Sequence, residues 1–350
     1  MKAIKKLIHL YGSILKFKLT GKQTPLVAVL CVTGRCNFNC VYCYGMFGEN
    51  KTVDPQLSKI KILLKELAEA GCTFIQITGG EPLVRDDLDE IVDEIKRLKM
   101  QIGIVTNGSL VEKRLDLVLR FDMVCISYDG PGDCHNLNRG QNHDQVIAGA
   151  DALKKAGKKF KFSTILTINN FAQIDEILKV AEDYKVQIDF NFMHDTYDGG
   201  LSGLKDIVMD DAQIKETIGR LIEFKRQGRP VEPTLRSLKY ALNWPFGYKK
   251  TRALKYEAHQ IKNHVDCYLG KTQLYINYDG NVYPCPQLVN RINSRNVYED
   301  GLAKSFALLS NSRGDSCVAC WGICFTENNL IFDMNLWTML KIFKRLLKGK

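Results

Sequence analysis

The 350-residue sequence contains no apolar run approaching the roughly 18 residues that a bilayer span requires, so no segment reads as a transmembrane helix. Acids are missing from both ends. Lys2, Lys5, Lys6, Lys16, Lys18 and Lys22 stand without one before residue 23, and Lys341, Lys344, Arg345, Lys348 and Lys350 stand without one after Asp333. These eleven positives exceed the formal net charge of +10, so the middle of the chain is near neutral and no basic groove for nucleic acid is expected in it. A secretory signal is also absent. Twelve cysteines in a short secreted chain would form a disulfide scaffold; in a chain this long, clustered at short spacings, they indicate metal ligation in a reducing cytoplasm. The 45% hydrophobic and 25% charged composition is that of a globular protein with room for one large core and a smaller module.

Residues 3 to 19 place Ile4, Leu7, Ile8, Tyr11, Ile14 and Leu15 at helical spacing between lysines, which predicts a basic amphipathic helix over 1–22. Leu336, Met339, Leu340, Phe343, Leu346 and Leu347 repeat the pattern over 331–350. Two readings stand side by side: helices lying on an anionic membrane surface, or helices packed on their own domain. Between the ends, apolar strands alternate with helices as in a parallel α/β barrel. Six strands are predicted, Leu26 to Leu30, Thr73 to Thr78, Gln101 to Thr106, Met123 to Tyr128, Phe160 to Leu166 and Gln187 to Met193. Helices are expected at Gln56 to Ala70, Leu88 to Lys99, Gln145 to Ala156, from Ile174 to Asp183, and from Asp210 to Lys225. Chemistry in such folds sits just beyond the carboxyl ends of the strands.

Behind the first strand, Cys36, Cys40 and Cys43 form a Cys-x3-Cys-x2-Cys run, one thiolate short of closing a cubane cluster. Thr78-Gly79-Gly80-Glu81-Pro82 follows the second strand, Thr106-Asn107-Gly108 the third, and Ser127-Tyr128-Asp129-Gly130-Pro131 the fourth. The triple cysteine after one strand and the Gly-Gly-Glu-Pro loop after the next resemble the radical S-adenosylmethionine (SAM) superfamily over residues 24 to 195. The resemblance implies a partial (β/α)6 TIM-like barrel over 23–228 and a [4Fe-4S] cluster whose open iron is chelated by SAM. It implies reductive cleavage of SAM to a 5′-deoxyadenosyl radical that abstracts hydrogen from a substrate, with the electron from a donor such as flavodoxin or ferredoxin. By position in the motif, the backbone at Gly79 and Gly80 is expected to approach the methionyl amine, with Glu81 supplying the rigid turn or a nearby acceptor, Ser127 and Arg139 are expected at the SAM carboxylate, and Tyr42 near the adenine or in packing.

After a bridging segment at 229–260, Cys267, a hairpin turning at Asp279-Gly280, Cys285, and then Cys317, Cys320 and Cys324 fill residues 261–330. This pattern resembles the SPASM/Twitch auxiliary-cluster domain, a small cysteine-rich α+β module. The resemblance implies one auxiliary [4Fe-4S] cluster held by Cys267, Cys285 and two of the last three cysteines; four thiolates would also suit a structural zinc site. The aspartate that follows the cysteine matching Cys285 in sulfatase maturases, and serves there as base, is Pro286 here. His194 and Asp195, with Tyr197 and Asp198, are alternative acid/base candidates after the sixth strand. Cys134 is a candidate hydrogen donor, and Cys31, Cys72 and Cys125 read as packing residues. With only a short leader before Cys36, no peptide-recognition domain is expected. The activity read from this is oxidation of a small-molecule, lipid-linked or peptide substrate, with the second cluster as electron exit. Redox-neutral epimerisation, rearrangement or coupling is the alternative within the same chemistry, and a non-enzymatic electron-transfer protein the alternative outside it.

Overall fold

A computed structural model describes residues 2–49, 52–193, 206–312 and 317–333. The C-terminal helix expected over 331–350 lies almost wholly outside these residues, as do His194, Asp195, Tyr197 and Asp198. The chain opens with α1 (Lys2–Thr20) and then alternates β1 (Val27–Cys31), α2 (Leu57–Glu69), β2 (Phe74–Thr78), α3 (Leu88–Arg97), β3 (Gln101–Thr106), α4 (Leu115–Leu119) and β4 (Met123–Ser127). Two helices, α5 (Asp133–Arg139) and α6 (His143–Lys155), lead to β5 (Lys161–Leu166), α7 (Ile174–Tyr184) and β6 (Gln187–Phe192). The expected strand bounds differ from the observed ones by at most one residue.

The helices form where apolar spacing and charge agree. In α2, Ile60, Leu63, Leu64 and Leu67 make one buried stripe, and the helix stops before Gly71, which takes φ +95°. In α3, Asp89 and Glu90 occupy the first turn and Lys96 and Arg97 the last, matching the helix dipole. Beyond the barrel, Asp210 caps α8 (Asp211–Arg226), accepting from the Gln213 backbone N–H at 2.8 Å while Gln213 Oε1 accepts from the Asp210 N–H at 2.9 Å. The remaining elements are α9 (Leu235–Leu242), β7 (Arg252–Ala253), β8 (Gln273–Ile276), β9 (Val282–Tyr283), α10 (Val297–Ser312), β10 (Ala319–Cys320) and α11 (Ile323–Phe332).

Strands β1 to β6 pair in sequence order, all parallel, giving the partial TIM barrel. Its outer face is dry: Leu30, Ile77, Ile104, Ile126, Phe162 and Phe190 are fully buried under the helices. The alternate residues are half-buried and line the concave side, as the two-residue period of a strand requires. Two features depart from the expected division into domains. The β8–β9 hairpin adds to the barrel, β8 running parallel to β1, so one eight-stranded sheet spans both modules. The bridging segment supplies β7, which pairs antiparallel with β10 inside the cysteine module.

Of the two readings of the N-terminal helix, packing is the one observed. Ile14 and Phe17 of α1 are buried, Ile14 in a cluster with Leu26 and Phe332. Lys18 lies 3.5 Å from Asp333.

Candidate active site

The loop after β1 carries the three cysteines, and its shape is set by backbone contact with the loop after β2. Gly80 N–H donates to the Thr33 carbonyl at 2.9 Å and Glu81 N–H to the Arg35 carbonyl at 2.9 Å. A Cβ on Gly80 would lie 2.2 Å from the Arg35 oxygen and 3.0 Å from Cys36 Cβ; one on Gly79 would lie 2.6 Å from the Thr33 oxygen. The glycines are therefore required by the cysteine loop itself. Asp54 ties the loop from the other side, accepting from Thr33 Oγ1 at 2.6 Å and from Arg35 Nη2 at 2.6 Å. Arg85, nearly fully buried, donates to the Val32 and Pro55 carbonyls at 2.7 and 2.8 Å.

Cys36, Cys40 and Cys43 are half-buried at the end of β1. Burial first, and then mutual repulsion among the other contributions, push Cys36 up to about 12 and Cys40 up to about 11. Such a group resists ionising until a cation arrives to bind it. Backbone N–H groups already point at the sulfurs, Phe38 N–H at Cys36 Sγ (3.4 Å) and Phe47 N–H at Cys43 Sγ (3.5 Å). Among the described residues no three His, Cys, Asp or Glu are placed to hold a single metal ion, while Cys40 and Cys43 are both charged neighbours of Cys36. The donor set thus fits a sulfide-bridged cluster with one iron left to another ligand.

Glu81 takes the turn role of the two expected for it. It is fully buried and takes three internal donors: Leu83 N–H at 3.0 Å, Thr106 Oγ1 at 2.7 Å and Asn107 N–H at 2.6 Å. Burial still outweighs these bonds and pushes its carboxyl up to about 7. Its side chain is a strut between the ends of β2 and β3. It fixes Asn107, whose Nδ2 donates to Asn37 Oδ1 at 2.9 Å inside the cysteine loop.

Arg139 and Tyr42 both converge on Asp129, a residue at the end of β4 that was not singled out from sequence. Arg139 donates Nε and Nη2 to Asp129 at 2.9 and 3.3 Å, the Tyr42 hydroxyl donates to Asp129 Oδ2, and the Arg139 guanidinium lies 5.4 Å from the Tyr42 ring centre. Asp129 has no exposed surface. The only sequence signal for it was the ten-residue spacing to Arg139, which α5 folds back on itself. Tyr42 therefore belongs to this pair, and Arg139 keeps Nη1 outside it. His135 stands behind, its Nδ1 accepting from the Asp129 N–H at 3.2 Å; burial holds its pKa down to about 4, so it stays neutral. Ser127 is half-buried on the concave face, in register with Ser163. Cys134, a candidate hydrogen donor, lies on α5, with Glu176 of α7 its leading charged neighbour. Cys31, Cys72 and Cys125 are buried.

In the second module Cys320 is buried, and its thiol is raised well above the usual range by burial and then by Cys267, Cys317 and Cys285, with Cys324 the weakest of the four cysteine contributions. The buried Tyr240 hydroxyl has Cys320 and then Cys267 as its leading charged neighbours. Thiols grouped in one buried place fit a site built for sulfur-rich ligation. Cys324 is set apart from that group. The residue as a whole is exposed, yet burial is the main influence on its thiol, and after burial its leading electrostatic neighbour is Asp189 on β6.

Residues 30–181 match the family model of the radical SAM superfamily, and residues 267–321 that of SPASM, an iron–sulfur cluster-binding domain. Among curated proteins, the chain is 27% identical over 239 residues to the pre-heme d1 synthase of Dinoroseobacter shibae, covering 64% of this chain and 59% of that protein. It is 30% identical over 216 residues to the mitochondrial GTP 3′,8-cyclase of Arabidopsis thaliana, covering 58% and 55%. The matches thus span a little over half the length of these relatives. Among solved structures, anSMEcpe with bound AdoMet superposes with a TM-score of 0.61 at 17% identity, over 93% of this chain and 98% of that one. Streptococcus suis SuiB bound to S-adenosylmethionine superposes at 0.62 and 17%, over 83% and 67%.

Proposed function

The chain belongs to the radical SAM superfamily and carries a SPASM domain behind the barrel, with the [4Fe-4S] cluster, SAM and auxiliary cluster that this pairing implies; from that premise we propose that it oxidises a substrate held on the concave face of the barrel. When bound, the open-iron cluster and SAM supply hydrogen-atom abstraction. The observation that carries the reading is the separation of two thiol groups, one of three residues at the end of β1 and one of four around Cys320. Cys36, Cys40 and Cys43 hold the first cluster. Cys267, Cys285, Cys317 and Cys320 hold the second, which offers the substrate electron an exit. Gly79 and Gly80 leave backbone bare toward the methionyl amine, while Ser127 and the Nη1 edge of Arg139 hold the SAM carboxylate. Asp129 keeps that guanidinium in one plane and Tyr42 covers it.

The substrate is a small molecule or a peptide. The relatives named above are a cyclase and a tetrapyrrole synthase, and SuiB has been solved with its precursor peptide SuiA. A flavodoxin- or ferredoxin-like donor provides the reducing electron. Anaerobic reconstitution with SAM and dithionite is expected to yield 5′-deoxyadenosine, and deuterium placed on candidate substrates is expected to appear in it by mass spectrometry. A reconstituted, reduced protein that leaves SAM intact refutes the reading. Iron analysis is the companion test: about eight irons per chain in the parent and in Cys324→Ala, and about four in Cys320→Ala.

A further inference from the structure

The loop after β3 carries a motif that the cofactor assignments leave unused. Asn107 directly follows the strand and is buried, 7% exposed. Its amide is held from two sides. Oδ1 accepts from the Ser109 N–H at 3.0 Å and from Ser109 Oγ at 2.7 Å, while the backbone N–H of Asn107 donates to Glu81 at 2.6 Å. Nδ2 donates to Asn37 Oδ1 at 2.9 Å, and Asn37 Nδ2 returns a bond to Ser109 Oγ at 2.9 Å. A backbone N–H can only donate, so the Ser109 N–H fixes Oδ1 on its own side and Nδ2 on the side of the cysteine loop.

That orientation brings Nδ2 to 4.0 Å from Cys36 Sγ. An amide nitrogen carries two hydrogens; Asn37 takes one and the sulfur is the acceptor for the other. Cys36 Sγ also receives the Phe38 N–H at 3.4 Å, a backbone donor that almost any residue there would supply. Asn107 is different, a side-chain donor delivered from another strand end by bonds that do not involve Cys36. An aspartate would satisfy the Ser109 N–H equally well, but it would turn a negative oxygen toward Asn37 Oδ1 and the sulfur. The place therefore calls for an amide. At 4.0 Å the contact is long, and its influence is that of a fixed dipole with the positive end toward the sulfur. A reduced iron–sulfur cluster carries one more negative charge than the oxidised one, so such a dipole favours the reduced form.

We propose that Asn107 is a positioning residue of the first cluster: it presents a locked amide N–H to the Cys36 sulfur and thereby raises the reduction potential of the cluster that Cys36, Cys40 and Cys43 hold. Glu81 and Ser109 serve it by fixing its backbone and its amide. The premise is the assignment of those three cysteines to the open-iron cluster, and the experiment reports on the premise and on Asn107 separately. Neither depends on which substrate is oxidised.

Reconstituted holoprotein is titrated anaerobically at constant pH and read by electron paramagnetic resonance. The signal that changes on adding SAM belongs to the open-iron cluster, and the signal that does not change is the internal control. Asn107→Leu fills the place and Asn107→Ala leaves it open, and neither side chain donates. In both, reduction of the SAM-sensitive cluster is expected to become about three- to tenfold less favourable, a fall of about 30–60 mV for one electron, while the second signal stays within about twofold of the parent. Ser109→Ala removes one bond to the amide but keeps the backbone N–H that orients it, so both of its potentials are expected within about twofold of the parent. A fall shared by the two Asn107 variants, and absent from Ser109→Ala and from the second cluster, supports the proposal. A potential that neither Asn107 variant lowers, an equal fall in Ser109→Ala, or equal shifts of both clusters overturns it. Loss of iron from both Asn107 variants at unchanged circular dichroism also overturns it, since the residue would then serve assembly and not potential. If SAM alters no signal in the parent, the cysteine assignment fails and takes the inference with it; a SAM-sensitive signal whose potential does not move fails the inference alone.

Discussion

Two buried acids near the cysteine loop have opposite consequences. Glu81 is raised from 4.5 to about 7 by burial. A carboxyl raised in the fold stays protonated where the unfolded chain has ionised, so its contribution is full below pH 4.5 and is lost as pH climbs to about 7. The shift is worth up to about 3 kcal/mol. Glu81→Gln has no such loss, so in urea melts its deficit against the parent is expected to shrink by up to about 3 kcal/mol between pH 4.5 and 7. Asp129 acts instead through its buried pairing with Arg139. Asp129→Asn leaves the guanidinium buried without its partner, and melts are expected to show a loss of about 3–5 kcal/mol. The sequence offers the rigid turn as one of two roles for Glu81, and the three donors around it supply the partners of that role, whereas Asp129 is one acid among many until α5 brings Arg139 to it.

The loops after β1 and β2 act as one unit. Two hydrogen bonds and the glycine pair join them, and the cysteine loop takes its shape from the contact. Gly80→Ala would force a Cβ into the Arg35 carbonyl, so reconstituted protein is expected to carry about four irons in place of about eight, with its circular dichroism unchanged. The spacing of the cysteines and the position of the glycines were both plain in the sequence, because each follows a strand whose alternation is easy to read. That the glycines serve the neighbouring loop was not plain, since sequence distance says nothing of how closely two loops approach.

Across the molecule, the barrel and the cysteine module share one sheet, and α1 packs beside the strand where they meet. Ile14→Ala is expected to cost about 2–5 kcal/mol in melts and to leave liposome flotation unchanged; a membrane helix would give the reverse. Among the described residues no helix is long and apolar enough to cross a membrane. The sequence by itself determined the six-stranded barrel, the triple-cysteine centre and the second cysteine group, because strand period, helix punctuation and ligand spacing are local properties of the chain. Only the tertiary structure decided that Arg139 answers to Asp129, that the hairpin extends the barrel, and that Lys161 meets Asp189. Each of these joins elements distant in the chain, where register and packing, not spacing, select the partner.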